Sequence, residues 1–139
     1  MSKVIVWSSA NGSVAVCYPT GELPLDEVLK KDCPSNAVVI NETDLPQNQG
    51  VFFEAWELSG GTVSVNLDKA KAIGHDIRRA KRAEEFAPYD KIISLQVPGA
   101  DTAAAEQARN DIRFKYALIQ ETIDLSTSPD EIKAALGIS

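Results

Sequence analysis

Four residues carry the sharpest chemical signal in this chain: Lys71, His75, Arg78 and Arg82. Their spacing is 4, 3 and 4, which places all four on one stripe if the segment is helical. Such a stripe is either a docking strip for an acidic protein surface or a phosphate-binding edge built from paired arginines. The plainer reading is a solvated helix face, salt-bridged to Glu84, Glu85 or acidic residues of a neighbouring helix. His75 is the sole histidine, and no Ser, Cys or carboxylate stands at a motif spacing from it, so a helix-surface role is favoured over proton transfer. Asp26-Glu27 and Glu84-Glu85 are carboxylate pairs, but adjacent helical residues diverge by about 100° and do not face one substrate. The glycines in "ANG" and "SGG" belong to hairpin turns, and the chain has no Walker-type, dinucleotide-binding or nucleophile-elbow motif. Cys17 and Cys33 make no C-x-x-C pair, so they do not suggest zinc; two buried or semi-buried thiols are favoured, and the spacing leaves a disulfide open. The expectation is a protein that is not an enzyme and uses no metal or cofactor.

The basic stripe must be positioned by a helix, and the sequence places one directly after a hairpin. In "AWELSGGTVSVNLDKAKAIGHDIRRAKR", Trp56 and Leu58 fall on one strand face, and Val63 and Val65 answer them across Ser59-Gly60-Gly61. Asn66 is a helix N-cap and Asp68 lies in the first turn, with no linker in between. Ala70, Ile73, Ile77 and Ala80 form a narrow apolar seam, and Gly74 implies close packing. Pro88 predicts an end or kink near Phe86, with "YDKIISLQV" resuming the helix.

The flanking elements follow from the same rules. "KVIVWSSANGSVAVCYPTG" reads as a hairpin turning at Asn11-Gly12, its first strand apolar on both faces. A short helix runs from Leu25 to Lys31 with Leu25, Val28 and Leu29 as its stripe, and Val38, Val39 and Ile40 centre a third strand. Beyond a turn at "VPGAD", a long helix capped by Asp101 or Thr102 has Ala105, Ala108, Ile112, Ile119 and Ile123 as its inner face, with Phe114 and Leu118 beside it. "STSPDEIKAALG" closes the chain as a short helix, with Ser128 as cap, Pro129 first and Gly137 as stop. The fold class is therefore α+β: a β-rich part over 1–66, about five antiparallel strands, then a helical hairpin and closing helix over 67–139, together one compact unit.

Bulk composition narrows the function. The 139 residues carry a net charge of −6, which argues against general nucleic-acid binding. Only the segment 67–86 is net positive, with six Lys/Arg against four Asp/Glu. "MSKVIVWSSANGS" lacks the apolar core of a signal peptide, and no run approaches the roughly 20 apolar residues of a membrane span, so a cytosolic start is expected. A sheet this small cannot easily bury both faces with its own mass. Core placement is expected for Trp56, whereas Trp7, Phe52 and Phe53 are candidate interface aromatics, and Lys71, Arg78 and Arg82 would orient the partner.

Taken together, "VIVW…NGSVAVCYPTGELPLDEVLKKDCP", "FFEAWELSGGTVSVNLDKAKAIGHDIRRAKR" and "SPDEIKAALG" resemble a group of small proteins of tailed bacteriophages and prophages, encoded among tail and late structural genes. The resemblance rests on the strand tryptophan, the P-T-G-E-L-P segment, A-W-E before a turn, the V-x-V-N-x-x-K-A junction and the arginine-rich helix; it is weakest over 87–127, where "APYDKIISLQVPGAD" departs from the group's leucine-rich continuation. It implies a virion or assembly protein, found in the virion and in host cytoplasm during assembly. Tail-fibre attachment, a baseplate or neck accessory role, and a fibre-assembly chaperone all fit that setting. The implied partners are other phage structural proteins and further copies of the chain, not a membrane. A phage antagonist of host defence, binding a host protein or a nucleotide signal, is the competing class.

Overall fold

The computed structural model of the chain describes residues 2–10, 12–21, 24–95 and 101–138. Two compact units divide it, residues 1–70 and 71–139. The α+β class is seen directly, with antiparallel strands first and helices after them.

The first unit holds β1 (Lys3–Ser8), β2 (Val14–Cys17), α1 (Leu25–Asp32), β3 (Val38–Asn41), β4 (Trp56–Ser59) and β5 (Thr62–Val65). The strands form two sheets rather than one, in order β2-β1-β3 and β4-β5. Register explains the core. Val6 pairs with Val16 and Val38, and Val4 with Ile40, so the even-numbered residues share one face. That face packs with Leu45, Trp56 and Val63 into a cluster flanked by Leu58 and Val65. Ile5, on the opposite face of β1, is also buried, so the central strand is covered on both sides. Trp56 is a core residue, as expected, and its indole N–H donates to the Gln49 carbonyl at 3.1 Å. The second hairpin has the expected register, Trp56 opposite Val65 and Leu58 opposite Val63. Asn11 of the first hairpin turn and Glu22-Leu23 of the P-T-G-E-L-P segment lie outside the described residues; Gly12, at φ 86°, has the turn geometry its type allows. Cys17 and Cys33 are not joined in a disulfide.

The hairpin-to-helix junction is built on one side chain. The Asn66 carbonyl oxygen Oδ1 accepts from the Lys69 N–H at 2.9 Å, while its amide donates to Glu57 Oε1 at 2.9 Å. One residue thus caps the helix and ties it to β4. Lys69 adds an ion pair to Glu57 at 3.2 Å.

The helices are α2 (Leu67–Leu95), α3 (Thr102–Leu125) and α4 (Pro129–Leu136). Of the expected end or kink at Pro88, the end does not occur: α2 runs as one helix with Pro88 inside it, and "YDKIISL" continues it as expected. A proline removes one backbone hydrogen bond, here to the Glu84 carbonyl, and the remaining turns carry the helix past it. The turn expected over 97–101 lies outside the described residues except for Asp101. Asp101 caps α3 through the Ala104 N–H at 2.9 Å. Ser128 caps α4, and Gly137 ends it at φ 69°. In the second unit α2 and α3 run antiparallel, joined by Asp90–Arg109 at 3.1 Å, Lys115–Glu85 at 2.7 Å and His75–Asp124 at 2.8 Å. Gly74 allows this packing: a Cβ there would stand 2.7 Å from Ile132 Cγ2 of α4 and 3.7 Å from Ile123 Cγ2 of α3. The expected seam is corrected at Ala80, which is exposed. Among the described residues, no helix is long and apolar enough to cross a membrane.

Candidate functional site: an arginine groove on the helical hairpin

The 4, 3, 4 spacing does put Lys71, His75, Arg78 and Arg82 on one face of α2, and that face turns toward α3. Lys71 Nζ donates to the Asp124 carbonyl at 2.9 Å, placing a cation on the negative end of α3. His75 Nε2 meets Asp124 Oδ1 at 2.8 Å, and its Nδ1 accepts from Arg78 Nε at 3.2 Å. The first half of the stripe is therefore a helix–helix contact.

The second half opens into a groove. Arg78, Arg79 and Arg82 of α2 and Arg113 of α3 line a cavity of about 430 Å³, together with Ala83, Tyr116, Ala117 and Gln120. Ala83 and Ala117 are the small residues of its lining. Arg79 pairs with Asp76 at 2.9 Å. Among the described residues no carboxylate stands at ion-pair distance from Arg78, Arg82 or Arg113. Phe86 holds two of them: Arg82 lies 4.7 Å and Arg113 5.7 Å from its ring centroid. Burial lowers the pKa of Arg78, and the charges of Arg79 and Arg82 push the same way, while Asp124 opposes them.

Beside it lies a second groove of about 310 Å³, lined by Lys81, Glu84, Glu85, Lys115 and Tyr116. Its charges are matched. Glu85 accepts from Lys115 and from the Tyr116 hydroxyl. These two hydrogen bonds hold the Glu85 carboxyl below its usual range, and burial followed by the bond to Glu85 pushes the Tyr116 phenol up to about 12.

A third surface is apolar. Phe114, Leu118 and Leu125 are 71%, 51% and 72% exposed on α3. The expectation that Phe114 and Leu118 accompany the inner face is corrected here. Phe114 stands about 200° around the helix from Ile112, on the opposite side. The inner face uses Tyr116 instead, clustered with Phe86 and Ile112.

The candidate interface aromatics lie in the first unit and behave differently from one another. Phe52 is fully buried, so its place in an exposed contact is corrected: its ring is committed to the protein's own interior. Phe53 is 36% exposed and packs against Trp56 with ring centroids 4.9 Å apart, and Trp7 is half-buried. Lys71 is engaged with α3, while Arg78, with its Nε on His75 of α2, lines the groove together with Arg82. Sequence reasoning missed Arg113. A signal for it lay in the turn expected at "VPGAD": an antiparallel return about that stretch would bring Arg113 level with Phe86, and the pairs Asp90–Arg109 and Glu85–Lys115 have that register. Among known protein families, characterised proteins and solved structures, no match to the chain was found.

Proposed function

We propose that this chain is a bacteriophage virion-associated or assembly protein, tail-related, that acts by protein–protein contact rather than by catalysis. The setting rests on the resemblance carried by the strand tryptophan, the A-W-E hairpin and the arginine-rich helix. The mode of action rests on one observation: α3 is apolar on two opposite faces. Ile112, Tyr116 and Ile123 are buried on one side, while Phe114, Leu118 and Leu125 stand in solvent on the other. A helix that needs a single buried face gains nothing from the second unless another protein covers it. Large apolar side chains at helical spacing are the usual anchors of such contacts. The covering partner in this reading is another tail protein, and further copies of the chain are arranged with the symmetry of the tail.

Mass spectrometry of purified particles of the encoding phage tests the setting. The expected result is the intact chain in the particle, at a copy number that is a multiple of the tail's rotational symmetry. Presence in infected cells but not in particles would replace the virion role with that of a fibre-assembly chaperone. Synthesis confined to early infection would overturn both.

A further inference from the structure

We propose that the groove lined by Arg78, Arg79, Arg82 and Arg113 is a binding site for a compact oligophosphate, a small ligand carrying two or more linked phosphates. The site does not depend on the tail setting, and either can fail without the other.

The argument starts from charge. The chain is net −6, yet four guanidinium groups line one cavity, three of them with no carboxylate at ion-pair distance among the described residues. Gathering like charges from two helices is unfavourable unless an anion lies between them. The geometry holds them there regardless: Arg82 and Arg113, from α2 and α3, share the ring of Phe86. Arg78 is buried, with its Nε fixed on His75. These arginines are therefore pre-positioned before any ligand arrives, which lowers the ordering cost of binding.

Chemistry selects the ligand. Each guanidinium is a planar fork suited to two oxygens of one phosphate. A single carboxylate would satisfy one fork and leave the others facing each other. Two or three linked phosphates present enough oxygens and charge for the whole set, and the Gln120 amide offers an uncharged partner. The cavity of about 430 Å³ is of small-ligand size. The arginines form a compact cluster rather than a continuous basic track, with Asp76, Glu84, Glu85 and Asp124 interspersed on the same two helices, which favours a compact anion over a nucleic-acid strand.

Isothermal titration of the intact chain with tripolyphosphate is the test, with citrate as a carboxylate probe of comparable charge and a short single-stranded oligonucleotide as the long polyanion. The expected result is saturable one-site binding of tripolyphosphate, weakening as salt rises. Arg82→Gln with Arg113→Gln should weaken it at least about tenfold. Lys30→Gln with Lys31→Gln, which removes the same charge from α1, should leave it unchanged. Arg113→Gln alone, at an exposed α3 position, should still weaken binding and serves if the double variant does not fold. No saturable binding of tripolyphosphate, or equal binding by the arginine variants and the wild type, overturns the site. Citrate binding as tightly overturns the phosphate assignment, and tighter binding of the oligonucleotide overturns the compact ligand.

Discussion

At the scale of single residues, Gly74 shows how a local cost is recovered by packing. Alanine in its place would favour the helix by about 1 kcal/mol. The added Cβ would stand 2.7 Å from Ile132 Cγ2, on a fully buried, β-branched side chain that has nowhere to turn. Overpacking of that kind costs about 1–3 kcal/mol, so Gly74→Ala should lower stability by roughly 1 kcal/mol net, read by thermal or urea unfolding. The Glu85 and Glu131 carboxyls set an acid limit. Glu85 is lowered by its bonds from Lys115 and Tyr116, and Glu131 by those from the Thr127 hydroxyl and N–H. A carboxyl lowered in the folded state adds stability that is present above its ordinary value of 4.5 and is lost as pH falls through the folded value. The melting temperature should therefore drop below that pH, and the drop should shrink in Glu85→Gln with Glu131→Gln. Tyr116 sets the alkaline counterpart. Its phenol is raised from 10 to about 12, so its contribution is complete below 10 and lost as pH climbs through 12. Spectroscopic titration should show one tyrosine ionising about two units above the ordinary value.

At the scale of elements, helix ends and strand registers were legible because they depend on near neighbours. Asn66, Asp101 and Ser128 each cap the helix that their type and position imply. The alternation of Val4 and Val6 with Ile5 announced a strand covered on both faces. What stayed hidden depended on distant parts of the chain. Pro88 reads locally as an end or kink, yet α2 continues to Leu95, where contacts such as Asp90–Arg109 fasten the helix beyond it to α3. Pro88→Ala should restore the hydrogen bond to the Glu84 carbonyl and raise stability by about 1–3 kcal/mol in thermal unfolding. Phe114 and Leu118 were drawn toward the core by hydrophobicity alone, although their 100° steps already set them opposite Ile112. The groove was half legible: Arg78 and Arg82 were singled out by their spacing, whereas Arg79 and Arg113 join them only through the pairing of α2 with α3.

At the scale of the whole molecule, the chain presents two surfaces its own fold does not use, an apolar face on α3 and an arginine groove beside it. The central proposal is that the apolar face docks another protein, in the proposed setting a tail protein. The most direct test compares wild-type protein with Phe114→Glu, Leu118→Glu for co-purification with the phage's late structural proteins from infected cells. Exposed substitutions of this kind change stability by about 0.5 kcal/mol or less, so the melting curves should nearly coincide. The account predicts a folded variant that no longer co-purifies, while the wild type does. A folded variant that co-purifies as well as the wild type would contradict it.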